Sequence, residues 1–122
     1  MIKFVYKICS ISEWNKFQKE KKFFGTKKDL LDGYIHFSNK NQIKKTLKKY
    51  FFKIDDLILL KVKVFKLKKL KWEKSKEGKV FPHLYSLLDI ENVKSVHKIT
   101  LKKMIYMLYH QQIGFMNKCG ML

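Results

Sequence analysis

The chain has 122 residues, 28 basic and 10 acidic, for a net charge of +18, with 46% hydrophobic and 15% aromatic content. That length fits one domain with a single modest core and leaves little room for two, and the composition excludes a disordered chain. The two cysteines, Cys9 and Cys119, follow no metal or redox spacing, and the longest uncharged apolar run, Leu57-Ile58-Leu59-Leu60, is far below the roughly 18 residues of a membrane span.

Residues 2–8 alternate, with Ile2, Phe4, Tyr6 and Ile8 on the face expected to look inward and Lys3, Val5, Lys7 and Cys9 on the other. Ser10 or Ser12 caps a short helix carrying Ile11, Trp14 and Phe17. Phe23-Phe24-Gly25-Thr26 and Asp32-Gly33 read as turns. Residues 34–38 read as a strand, and Asn39 with Gln42 forms a capping box before a helix whose apolar face is Ile43, Leu47, Tyr50 and Phe51. Lys44, Lys45, Lys48 and Lys49 fall on the solvent side of that helix.

Residues 57–64 are apolar on both faces at first, as in a strand central to its sheet. Residues 69–74 form the next strand, with Trp72 inward beside Leu70 and with Glu73 and Lys71 opposite. Residues 80–85 are extended, and Pro82 favours an edge or irregular strand there. Residues 93–100 alternate as a last strand. The expected fold class is α+β, with two N-terminal helices packed on a mixed, mainly antiparallel sheet of about six strands. Residues 1–100 form the domain. Residues 101–122 are an extension with a docking helix, lined by Leu101, Met104, Ile105, Leu108 and Tyr109, and a loose tail.

Strand periodicity singles out two segments. In Tyr34-Ile35-His36-Phe37-Ser38, the side chains of Tyr34, His36 and Ser38 share a face. In Phe81-Pro82-His83-Leu84-Tyr85, Phe81, His83 and Tyr85 do so. Each segment presents an imidazole beside a hydroxyl and a ring, so two such faces meeting would line a cleft suited to a flat ligand with ribose or phosphate groups. A lone histidine on a half-apolar strand is more often a core residue with a backbone partner, and the repeated neighbour types argue against that here. Glu73 is the carboxylate expected to orient a hydroxyl of the ligand, against the blander reading of a surface ion pair. His97 and His110 read as surface residues. No H-x-x-x-H or C-x-x-C spacing supports a metal site, no motif places Cys9 or Cys119 as a nucleophile, and the five glycines form no phosphate loop.

These strings, in order, resemble a family of short bacterial proteins. They are Val5-Tyr6-Lys7-Ile8, Trp14, Asp32 to Ser38 with Gln42 and Thr46, Asp56 to Leu60, Leu70-Lys71-Trp72-Glu73, and Phe81 to Tyr85. The resemblance runs over about residues 2–99 and is to the domain-of-unknown-function family 952. That family is similar in fold to the ADP-ribosyltransferase superfamily, which grips NAD in a cleft between two small sheets. The resemblance implies that Lys7 stands at the first ribose-holding position, His36 with Ser38 at the second, and Glu73 or the His83-Tyr85 pair at the third. It implies His36, Ser38, His83 and Glu73 as catalytic groups and Lys7, Tyr34, His36, Phe81 and Tyr85 as nucleotide contacts. Ser86 stands where the family usually has glycine, a change expected to tighten the turn.

Two readings follow. One is an NAD- or nucleotide-binding protein, with ADP-ribosyltransferase-like glycosyl transfer as its chemistry. The other is a non-enzymatic module that binds a peptide or polyanion through its lysines. The absence of arginine, the residue of choice for bidentate phosphate contacts, weighs against dedicated nucleic-acid recognition. No leader or membrane segment is read in the sequence, so the expectation is a monomeric, cytoplasmic protein.

Overall fold

The structure, a computed structural model, describes residues 1–109. The chain runs β1 (Phe4–Ser10), α1 (Ile11–Glu20), β2 (Lys22–Phe23), α2 (Lys27–Asp32), β3 (Ile35–His36), a 3-10 turn (Lys40–Gln42), α3 (Ile43–Tyr50), β4 (Leu57–Lys63), β5 (Leu70–Lys74), β6 (Val80–Leu84), β7 (Leu88–Asp89), a second 3-10 turn (Ile90–Asn92), β8 (Val93–Ile99) and α4 (Leu101–Tyr109). The fold is α+β. Its described strands form three antiparallel sheets, ordered β1-β4-β8, β2-β7 and β3-β6-β5. Residues 110–122, with His110, Cys119 and the expected tail, lie outside the described residues.

The middle strand β4 explains the layering. Its alternate side chains enter two different cores, so both faces of the first sheet are covered. Leu57 and Leu59 join Ile8, Ile43, Leu47, Ile99, Met104 and Met107 under α3 and α4. Ile58, Leu60 and Val62 join Val5, Cys9, Phe17, Phe23, Ile35, Phe37, Leu84 and Leu88, which α1 and the smaller sheets supply. Fully burying a leucine is worth about 1.5–3 kcal/mol, so a two-faced sheet lets a short chain bury enough apolar surface to fold.

Several expectations change. The single mixed sheet of about six strands is replaced by three small antiparallel ones, and the two unexpected strands, β2 and β7, have two residues each, too few to show a period. Phe23, expected in a turn, is a buried β2 residue paired with Leu88. The face of β1 that carries Val5, Lys7 and Cys9 is buried, because the second core covers it.

Strand β6 is central rather than at an edge. The carbonyl of Pro82 accepts from Phe37 N at 3.0 Å, so the side of Pro82 that lacks an N–H faces β3 just beyond its last pair, His36 with His83. The proline therefore ends β3 without breaking the ladder to β5. Trp72, expected inward, is 40% exposed, because β5 is an edge strand and only Leu70 reaches the core.

The helices follow local rules. Ser10 and Glu13 form a capping box on α1, and Asn39 and Gln42 form another at the 3-10 turn that leads into α3. Helix α2 has six residues and no apolar period, and the sequence pattern did not mark it. The docking face of α4 is set by Met104 and Met107, while Ile105 and Tyr109 are exposed. No described helix is long and apolar enough to cross a membrane.

Met104 is 0% exposed between α4 and the first sheet. Met104→Ala should lower stability by about 2–5 kcal/mol, read as a lower urea midpoint with an unchanged slope. A loss under about 0.5 kcal/mol, the scale of a surface substitution, would mean that α4 does not dock.

Candidate functional site

The site is built around one carboxylate. Gly25 adopts φ +123°, and a Cβ there would lie 2.6 Å from Asp29 Cβ, so only glycine lets the chain turn this close to α2. Thr26 then caps the helix. Its hydroxyl accepts from Asp29 N at 3.2 Å, and its own N–H donates to Asp29 Oδ2 at 2.8 Å. Gly33, at φ +84°, closes the helix by donating its N–H to the Asp29 carbonyl.

Asp29 itself is 2% exposed and accepts from several directions. Oδ2 also takes the ammonium of Lys7 at 2.7 Å. Oδ1 takes the backbone N–H of His36 at 3.1 Å and its Nδ1 at 2.6 Å. Burial alone would raise this carboxyl. The His36 bond, the Lys7 charge and bond, and the Thr26 N–H outweigh it and hold Asp29 well below the usual carboxylate range. Burial pulls the Lys7 ammonium below its ordinary value, opposed chiefly by Asp29. That ammonium also donates to the His36 carbonyl at 3.0 Å.

The two histidines are register partners on β3 and β6, with ring centroids 5.5 Å apart. The Tyr34 ring stacks on His83 at 4.1 Å and 25°, and lies 4.6 Å from the His36 ring and 5.2 Å from the Tyr85 ring. Each imidazole has a carboxylate at Nδ1. His36 meets Asp29 there and Asp32 Oδ2 at Nε2, at 3.0 Å. A neutral imidazole carries one N–H, so only the doubly protonated ring donates to both. His83 Nδ1 lies 2.9 Å from Glu73 Oε1, which also accepts from the Tyr85 hydroxyl at 2.6 Å. Those two bonds, Tyr85 first, draw Glu73 below its ordinary value, and the same bond with burial pushes Tyr85 up to about 12. Lys71 Nζ sits 5.1 Å from the Tyr85 ring centroid.

The structure thus brings together Tyr34, His36, Glu73, His83 and Tyr85. Phe81 lies on β6 opposite Glu73, on the same face as His83. Lys7 is 4% exposed and reaches this cluster through Asp29 and the His36 carbonyl. Ser38 is 4% exposed, and its hydroxyl bonds to Thr46 at 2.9 Å. Its backbone bridges Tyr6 and so joins β1 to the segment after β3. No hydrogen bond among the described residues joins Ser38 to either histidine.

The Ser86 hydroxyl donates to the Lys68 carbonyl at 2.9 Å, which ties its turn to the segment before β5. Burial first, and Glu13 next, push the Cys9 thiol up to about 12, which removes it as a nucleophile at neutral pH. Among the described residues no group of three or more His, Cys, Asp or Glu side chains is placed to hold a metal.

Sequence reasoning missed Asp29 and the role of Asp32. A signal existed in Thr26-Lys27-Lys28-Asp29, the capping-box spacing, one residue after Gly25.

The chain matches the family described as Protein of unknown function (DUF952) over residues 8–96. It belongs to that family. Its solved relatives include protein CC0527 from Caulobacter crescentus. The crystal structure of that protein is 38% identical, has a TM-score of 0.74, and covers 78% of this chain and 84% of that one. The solution structure of the same protein gives 37% identity and a TM-score of 0.73, covering 81% and 86%. No curated protein sequence matches the chain.

In this DUF952 chain, Asp29→Ala should cost about 3–5 kcal/mol, because it leaves the Lys7 charge buried and unpaired. Adding Lys7→Met should recover part of that loss in chemical denaturation. Full additivity of the two changes would show that the pair is uncoupled.

The depressed Asp29 carboxyl contributes stability that is fully present above its ordinary value of 3.8 and is lost as pH falls below it. Acid unfolding followed by circular dichroism should therefore steepen below about pH 4. The Asp29→Asn protein should show a weaker slope in that range.

Proposed function

We propose that this protein binds a nucleotide of the NAD class at the sheet β3-β6-β5, beside the cavity lined by Tyr34 and Tyr85, and transfers its glycosyl group in the manner of the ADP-ribosyltransferase superfamily. The observation that carries this reading is the ring cluster of Tyr34, His36, His83 and Tyr85, with a carboxylate at Nδ1 of each imidazole. Rings offer stacking to a base, and of the two carboxylates Glu73 is exposed enough to accept from a ribose hydroxyl, whereas Asp29 is buried. The Ser38–Tyr6 bridge brings the two sheets together beside this cluster. In this reading Tyr34, Phe81 and Tyr85 contact the nucleotide, and His36 and His83 face the reacting bond, with Glu73 held at Nδ1 of His83. Lys7 supports them from behind through Asp29, and Ser38 ties the segment after β3 to β1 and α3.

The competing reading is a peptide- or polyanion-binding module that uses the lysine surface. Calorimetric and thermal-shift titration with NAD and ADP-ribose separates the two. Binding at or below millimolar ligand is expected, with a stabilisation that reaches about 2.7 kcal/mol at a hundredfold excess over Kd. Tyr34→Ala should weaken it at least tenfold. A folded protein that binds neither nucleotide at millimolar concentration would overturn the proposal. Salt-sensitive capture of heparin that survives His36→Ala and His83→Ala would favour the module.

A further inference from the structure

The two histidines are not equivalent, and the difference assigns their roles. We infer that His83, through Nε2, is the proton acceptor of the site, and that Glu73 is its positioning residue. The inference rests on the transferase reading above.

Glu73 Oε1 lies within bonding distance of two groups, the Tyr85 hydroxyl at 2.6 Å and His83 Nδ1 at 2.9 Å. An ionised carboxylate only accepts, so His83 must carry its proton on Nδ1. In the neutral ring that leaves the lone pair on Nε2. This nitrogen has no hydrogen-bond partner among the described residues. The Tyr34 ring, stacked at 4.1 Å, fixes the plane in which that lone pair points. A carboxylate behind Nδ1 and a free Nε2 in front are the arrangement by which an imidazole is oriented for proton abstraction and its imidazolium form is balanced.

His36 is built the other way. Its Nδ1 faces Asp29 and its Nε2 faces Asp32, so neither nitrogen offers a lone pair without losing a contact. The side chain of His36 is nevertheless the more exposed, at 26% against 9% for His83. Exposure and lone-pair availability therefore point to different histidines, which makes the assignment testable.

In the step this implies, the O–H or N–H bond of an acceptor breaks and its proton passes to His83 Nε2. The acceptor's electron pair forms the new bond to the anomeric carbon of a pyridinium nucleotide. The bond from that carbon to the ring nitrogen breaks, and the neutral pyridine leaves with the bonding pair. His83 ends the step as an imidazolium beside Glu73.

Long-range proton–nitrogen spectra of the full chain read the tautomer directly. The wild type should show His83 as the Nδ1–H form. Glu73→Gln, which keeps an accepting oxygen, should preserve that form, and Glu73→Ala should shift it toward Nε2–H. Diethyl pyrocarbonate with peptide mapping should modify His83 at least tenfold faster than His36. An Nε2–H tautomer in the wild type, a tautomer unmoved by Glu73→Ala, or faster modification of the more exposed His36 would each overturn the assignment. None of these readouts requires a bound nucleotide, so failure of the NAD titration would count against the transferase reading and leave the assignment of His83 to be judged by its own spectra.

Discussion

A lysine on the inner face of a core strand is the constraint on which this molecule turns. An ammonium taken out of water costs several kcal/mol unless a counter-charge and good hydrogen bonds meet it. Lys7 stands on β1, buried on the face that packs against the second core, and Asp29 on α2 meets it. The same carboxylate takes the Thr26 N–H, the His36 N–H and the His36 ring. Three segments of the chain, β1, the Thr26-capped α2 and β3, are therefore tied at one group. The helix that carries it is only six residues long, too short to stand by itself in water, so α2 owes its place to this network rather than to propensity.

From that anchor the site divides into two carboxylate–histidine chains. The Lys7–Asp29–His36 chain is buried at its base and orients β3 against β1. The Glu73–His83–Tyr85 chain lies on the edge sheet, where Glu73 is partly exposed and Tyr85 more so. Tyr34 lies between the halves and touches both imidazoles. Behind His36 stands a buried ion pair, and His83 meets its carboxylate at Nδ1.

Part of the site is legible in the sequence because its residues lie on strands. Period-2 alternation predicts Tyr34, His36 and Ser38 on one face and Phe81, His83 and Tyr85 on another; the antiparallel register brings the two histidines opposite each other, while Ser38 turns to Thr46 instead. Glu73 was picked out as a carboxylate scarce in a lysine-rich chain, and it is the partner of His83. Asp29 escaped because its role depends on a turn at Gly25 and on contacts 22 and seven residues away in sequence, with Lys7 and His36. A helix of one and a half turns has no period to announce it. On α3, Lys45, Lys48 and Lys49 face solvent with Ile43 and Leu47 buried opposite, whereas Tyr50, expected on that apolar face, is exposed.

By itself the sequence determined the α+β class, the longer strands and helices and the family, and it marked two histidine segments and Glu73 but not Asp29. Those properties follow from local alternation, capping and motif order, which the chain carries whatever its final packing. Only the tertiary structure decided that the strands divide into three antiparallel sheets, that Lys7 is buried, and that Pro82 sits in a central strand. It also decided that the two histidines meet different carboxylates. The physical reason is that burial and pairing are properties of distant segments brought together. Whether Lys7 faces water or a carboxylate, and which imidazole nitrogen is left free, is set by groups that the sequence places far apart.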